Sequence, residues 1–68
     1  MQLNEEEYSK RLEEYSDDTI RLIIKIHGCN RATLYKALKI TTNPELNEEQ
    51  VAQGLEALLE EDKKHTSP

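Results

Sequence analysis

Aliphatic residues recur three or four positions apart along this 68-residue chain, which is the spacing of one face of an α-helix. Nowhere do they alternate with polar residues as in a half-buried β-strand, and no segment repeats another. Three asparagines stand where an N-cap is expected, at Asn4, Asn30 and Asn47. The pattern therefore predicts an all-α fold of four short helices, and the length allows one small domain over residues 1–68.

The first two predicted helices lie on either side of Ser16. The first should carry one narrow apolar stripe, formed by Tyr8, Leu12 and Tyr15. Ser16 is the expected N-cap of the second helix, in which five of the seven residues from 20 to 26 are Ile or Leu. Because that run is apolar on more than one face, we expect it at the centre of the core. A single rod through both segments also fits the spacing and stays an open alternative.

Glycines mark two positions in the second half of the chain. Gly28 is expected to end the second helix in the left-handed conformation that glycine adopts most readily. A third helix is predicted over residues 31–40, with an inward stripe of Leu34, Ala37 and Leu38. The fourth is predicted from residue 48 to about Asp62, with Gly54 at a close helix crossing and residues 63–68 as a frayed tail. Its apolar stripe is Val51, Leu55, Leu58 and Leu59.

Charge is divided into three blocks. Residues 1–18 and residues 45–68 each hold seven acids and two cations, whereas residues 19–44 hold five cations and no acid. Those five are Arg21, Lys25, Arg31, Lys36 and Lys39. Attraction to a phosphate backbone depends on the local potential and not on the total of -5, so the basic segment favours an anionic partner. Pairing between this segment and the acidic flanks of the same chain is the open alternative.

The junction of the second and third helices, about residues 18–40, has the plan of a helix-turn-helix. A Gly-centred turn of about three residues joins a helix to a second short helix, which in that motif lies in the DNA major groove. The third helix is also the most basic one in the chain. Its donors suited to phosphates and base edges are Asn30, Arg31, Thr33, Lys36 and Lys39.

Residues 28–38 read Gly-Cys-Asn-Arg-Ala-Thr-Leu-Tyr-Lys-Ala-Leu. They are followed by Asn-Pro-Glu-Leu at 43–46 and by an apolar run at 51–58. This stretch resembles the helix-turn-helix of addiction-module antidote proteins, relatives of the phage repressor and Cro fold. The resemblance implies a lambda-repressor-like fold, and it places four residues at or near DNA: Arg31, Thr33, Tyr35 and Lys36. The family usually has a small residue where this chain has Ile24, and Ser where it has Asn30.

These observations together predict a small DNA-binding protein, a transcriptional regulator or antitoxin-type repressor that contacts the major groove with residues 30–39. Because a chain this short buries a small core, we expect a homodimer that covers apolar surface of the first or fourth helix. Its two recognition helices would lie about 34 Å apart. A toxin is a further possible protein partner. A winged-helix variant that uses residues 48–61 would bring Glu48 and Glu49 to the phosphates, which is unfavourable.

The rival hypothesis is an acidic protein-interaction module, such as an inhibitor, an adaptor or a phage-encoded DNA mimic, that works through the acidic flanking helices. Metal binding is not expected, because His27 and Cys29 lack further ligands at a standard spacing. Catalysis and a cofactor are not expected either, because that pair has no orienting third group. No apolar run approaches a membrane span and the N-terminus is acidic, so we expect a cytoplasmic protein without a membrane partner.

Overall fold

The computed structural model describes residues 2–66, and the side chains of residues 2–64. Four helices and no strand make up this part of the chain: α1 (Glu5–Glu14), α2 (Asp17–His27), α3 (Arg31–Thr41) and α4 (Glu48–Thr66). The predicted all-α fold of four helices is confirmed, and the alternative of one rod through α1 and α2 is wrong. None of these helices is both long enough and apolar enough to cross a membrane.

Asparagine side chains begin three of the four helices, as predicted. Asn30 Oδ1 accepts a hydrogen bond from the backbone N–H of Thr33 at 2.9 Å. The other two caps are reciprocal, with donor–acceptor distances of 2.9–3.2 Å, and join Asn4 to Glu7 and Asn47 to Gln50. A cap of this kind stabilises its helix by about 1 kcal/mol, so the helix starts are fixed by local chemistry.

The start of α2 depends on a residue of another helix. The Ser16 side chain makes no capping hydrogen bond, contrary to expectation. Instead Glu48 Oε2, in the first turn of α4, accepts from the Ser16 backbone N–H and from Thr19 Oγ1, each at 2.8 Å. The hydrogen bond from the Ser16 backbone, followed by those from the side chains of Thr19 and Ser16, holds the pKa of Glu48 below its usual value. The break between α1 and α2 is thereby tied to the start of α4.

The core lies where α4 crosses α2 and α3. Its buried apolar residues are Ile26, Ala37, Val51, Leu55 and Leu58. The stripe predicted on α4 is confirmed, since Val51 and Leu55 are fully buried and Leu59 is packed against the cluster. A Cβ atom added to Gly54 would lie 3.0 Å from Ile40 Cδ1, so the close crossing predicted at this glycine is confirmed as a crossing with α3.

Helix α1 is held at the edge of the molecule by hydrogen bonds. It contains no buried residue, and its predicted apolar stripe is only half-buried. The Tyr8 hydroxyl lies 3.2 Å from Thr41 Oγ1 of α3. The Arg11 guanidinium donates to the carbonyl oxygens of Asn43 (at 2.6 Å) and Leu46 and to the hydroxyl of Tyr15. Charge-assisted bonds of this kind are about twice as strong as neutral ones. Arg11 therefore joins α1 to the loop between α3 and α4.

One expectation for α2 is wrong, and one each for α2 and α3 holds only in part. Gly28 has φ −87° and ψ 0°, which is a right-handed conformation and not the left-handed one expected. The apolar run of α2 enters the core through Ile26, with Leu22 and Ile23 packed against it, but Ile24 is 63% exposed, because α4 and α3 cover only one side of α2. Leu38 is 41% exposed, so the inward stripe of α3 consists of Leu34 and Ala37 without it.

The end of α4 also differs from the prediction. The helix extends to Thr66, four residues beyond the expected end at Asp62, so the frayed tail expected from residue 63 does not begin there. Lys63 and Lys64 are suited to this extension because cations stabilise the negative end of a helix dipole. Residues 67–68 of the predicted tail lie outside the described residues.

Candidate nucleic-acid interface

The outward face of α3 carries cations and no acid. Arg31, Tyr35 and Lys39 follow one another at intervals of four residues, which places them on one face of the helix, and all three are exposed. Lys36 is exposed beside them. The opposite side of the helix packs into the core through Leu34 and Ala37. The fold therefore presents the basic side of α3 to solvent.

Tyr35 belongs to this outward face and not to the core. Its side chain is 66% exposed, which is the largest exposure among the large hydrophobic residues of the described chain. Lys39 Nζ lies 5.4 Å from the centroid of the Tyr35 ring. That distance is within the range of a cation–π contact, so the ring orients the ammonium group while both remain accessible.

Two of the predicted DNA contacts are engaged inside the protein. Asn30 caps α3 through its Oδ1 atom. Its Nδ2 atom and the Thr33 hydroxyl each lie 3.4 Å from Oδ1 of Asp62 on α4. The described structure thus leaves Arg31, Tyr35, Lys36 and Lys39 as the accessible members of the predicted site. No signal in the sequence indicated that Asp62 approaches the start of α3, because the two segments are about 30 residues apart.

The thiol of Cys29 also lies next to Asp62. Burial raises the pKa of Cys29, and a hydrogen bond with Asp62 and the negative charge of that carboxylate raise it further. The thiol is therefore protonated at neutral pH and is a poor nucleophile, since the thiolate is the reactive form.

The cations of α2 have a different environment from those of α3. Arg21 and Lys25 are exposed, but Lys25 borders an open groove whose other side includes Glu56 and Glu60 of α4. Arg31, Lys36 and Lys39 are exposed on a helix that contains no acid. The basic segment is therefore split, with one part beside acidic residues and the α3 part facing solvent.

Among the described residues, no three His, Cys, Asp or Glu side chains are close enough together to hold a metal ion. Comparison of the chain with protein-family models, with curated proteins and with solved structures gives no match. The functional argument therefore depends on the exposed face of α3 and on what surrounds it.

Proposed function

We propose that the chain binds double-stranded DNA through the exposed face of α3 and acts as a small transcriptional regulator or antitoxin-type repressor. One observation carries the proposal: three cations, Arg31, Lys36 and Lys39, are exposed on a helix that has no acid. An α-helix with its side chains is about 10 Å across and the major groove of B-DNA is about 12 Å wide, so α3 can enter it.

The order of the elements supports a helix-turn-helix arrangement. Residues 28–30 separate α2 from α3, which is the turn length predicted for that motif. In the family that the sequence resembles, a small residue at the position of Ile24 allows close helix contact. This position does not follow that pattern, because the Ile24 side chain points mainly to solvent. The proposal is therefore based on the face of α3 and not on the crossing geometry of the family that the sequence resembles.

The accessible side chains divide into two kinds of contact. Lys36 and Lys39 suit phosphates, whereas Arg31 suits either a phosphate or the O6 and N7 atoms of guanine. The exposed ring of Tyr35 offers an apolar surface and a hydroxyl at the centre of the same face. Asn30 and Thr33 contribute indirectly, by fixing the start of α3.

The test is the affinity for a labelled duplex at low salt, about 50 mM, measured by fluorescence anisotropy. We expect the double variant Lys36→Glu/Lys39→Glu to bind at least about tenfold more weakly than the wild type, because each reversal replaces a phosphate contact with repulsion. The matched control is Lys10→Glu/Lys64→Glu, which makes the same charge change at exposed positions of α1 and α4. Absence of wild-type binding, or an equal loss in both double variants, would refute the proposal.

A homodimer is part of the proposal, but the structure changes where its contact is expected. The apolar residues of α4 are already used inside one chain, since Val51 and Leu55 are fully buried. Among the described residues, the large apolar side chains that remain exposed are Ile24 on α2 and Tyr35 and Leu38 on α3. Because Tyr35 belongs to the proposed DNA-contacting face, the dimer contact is expected at Ile24 and Leu38. Sedimentation equilibrium tests the dimer, and a mass of one chain at all concentrations would refute it.

A second candidate function is favoured by the groove between α2 and α4. Glu56 and Glu60 are exposed along it and Leu59 contributes an apolar patch. Lys25 and Lys63 also line the groove, so its rim carries both signs of charge. Polar rims around apolar centres are typical of protein interfaces, which suits a protein-interaction module. If Glu56→Lys/Glu60→Lys releases a captured protein partner and leaves duplex binding unchanged, the groove is the working surface. Retention of every partner by that variant would remove the support for this candidate.

A further inference from the structure

Tyr35 differs from the other two tyrosines of the chain in its surroundings. Tyr8 and Tyr15 are half-buried, and their hydroxyls are hydrogen-bonded to Thr41 and Arg11. The Tyr35 side chain is 66% exposed, on the helix whose outward face carries the cations. An aromatic ring in water lacks the hydrophobic stabilisation that burial provides, so a ligand that covers this ring gains it on binding.

The ring of Tyr35 lies between two cations of the same face. Arg31 and Lys39 stand four residues before and after it, which is about 6 Å along the helix axis in each direction. Lys39 Nζ is 5.4 Å from the ring centroid, so the ammonium group restricts the orientation of the ring. When the two flanking cations contact phosphates, the uncharged ring between them faces the base edges.

The major groove offers an aromatic ring one kind of apolar partner. Guanine, adenine and cytosine present hydrogen-bond donors and acceptors there, whereas thymine presents its C5-methyl group beside an acceptor oxygen. Covering a methyl group with an apolar side chain raises affinity about fourfold. The ring therefore matches thymine better than it matches the other three bases.

We propose that Tyr35 contacts the C5-methyl group of thymine and gives the chain a preference for major grooves that contain it. The inference rests on the proposed DNA binding by α3 and names one group of the ligand that α3 selects. Phosphate contacts from Lys36 and Lys39 carry no sequence information, so the preference depends on the ring.

The first experiment uses two duplexes of about 20 base pairs, one of alternating dA and dT and one in which dU replaces every dT. Every base pair of the first duplex presents a thymine methyl group, so no particular operator sequence is needed. The second duplex has the same charge and the same donors and acceptors without the methyl groups. Fluorescence anisotropy at about 50 mM salt should show wild-type binding about fourfold tighter to the dT duplex.

Two variants of Tyr35 and one matched control assign the preference to the ring. Tyr35→Phe keeps the ring and removes the hydroxyl, so the preference of about fourfold should remain. Tyr35→Ala removes the ring and should bind the two duplexes equally. Lys36→Ala should bind both duplexes more weakly and keep the preference, because it loses a phosphate contact alone. Circular dichroism establishes that each variant is folded; if Tyr35→Ala is not, Tyr35→Gln takes its place as a helix former without a ring.

The preference should also be independent of salt. Raising the salt concentration from about 50 to about 200 mM should weaken binding to both duplexes and leave their ratio unchanged, because a methyl contact releases no counterions. A ratio that falls to one at the higher salt concentration would contradict an apolar contact.

Equal wild-type affinity for the two duplexes, or a preference that persists in Tyr35→Ala, would overturn the inference and leave the proposed DNA binding intact. Absence of binding to either duplex would instead overturn the proposed function, and the inference with it. Nuclear Overhauser effects in the complex with the dT duplex observe the contact directly. Cross-peaks are expected between the thymine methyl protons and the ring protons of Tyr35. Cross-peaks from the thymine methyl groups to other side chains only would overturn the inference.

Discussion

Substitution of Gly54 by Ala probes the closest helix crossing of the fold. The new methyl group would gain about 1 kcal/mol of helix propensity in the middle of α4. It would also lie 3.0 Å from Cδ1 and 3.4 Å from Cγ2 of Ile40, whereas carbon atoms in good contact are about 3.5–4.0 Å apart. Moving Ile40 off its rotamer costs about 0.5–1.5 kcal/mol. The two contributions oppose each other, so Gly54→Ala alone should change the free energy of unfolding by less than about 0.5 kcal/mol.

A double-mutant cycle separates the two contributions. Ile40→Val removes Cδ1, the atom nearest to the added methyl group. In that background Gly54→Ala should stabilise the protein by about 1 kcal/mol and raise the unfolding temperature by about 4–8 °C. Chemical denaturation followed by far-ultraviolet circular dichroism measures both steps of the cycle. A gain of about 1 kcal/mol in both backgrounds, without coupling, would refute the close contact between α3 and α4.

Three further predictions concern single contacts. Arg11→Lys removes the planar guanidinium that reaches the carbonyl oxygens of Asn43 and Leu46. Amide hydrogen exchange in α1 should therefore become at least about tenfold faster, while α2–α4 keep their protection. Uniform loss of protection would contradict this. Glu48→Gln should lower the unfolding temperature at neutral pH. Folding lowers the pKa of Glu48, so its stabilising effect is present above the ordinary pKa of about 4.3 and disappears as the pH falls through the folded pKa. The difference in unfolding temperature between variant and wild type should therefore close in acid. A difference independent of pH would contradict this. Gly28→Ala should alter the free energy of unfolding by less than about 1 kcal/mol, because φ is −87° and the atom nearest to an added Cβ is Lys25 O at 3.5 Å. A loss of stability above about 2 kcal/mol would indicate a left-handed turn.

Features that depend on neighbouring residues could be predicted from the sequence. The asparagine caps act over three positions, so Asn4, Asn30 and Asn47 show their role in the local pattern. The α4 stripe is also visible, because burial on one helix face imposes a spacing of three to four residues. Gly54 also predicted the close helix crossing. A glycine within a helix lowers the stability of that helix, and a close crossing explains its presence there.

Features that depend on how the helices cross could not be predicted. Glu48 reaches Ser16 across 32 residues, and Asp62 reaches Asn30 across the same separation. Neither acid differs locally from the solvent-exposed acids around it. The apolar run of α2 shows the same limit: its composition indicates burial, but only the placement of α3 and α4 determines that Ile26 is buried and Ile24 is exposed.

Binding of duplex through the cations of α3 is tested most directly by the salt dependence of the affinity. Three phosphate contacts, from Arg31, Lys36 and Lys39, predict that the logarithm of the affinity falls with the logarithm of the salt concentration with a slope of about −2.7 per bound chain. Lys36→Gln should make that slope shallower by about 0.9, whereas Lys10→Gln on α1 should leave it unchanged. A wild-type slope near zero, or the same change in both variants, would contradict DNA binding by α3.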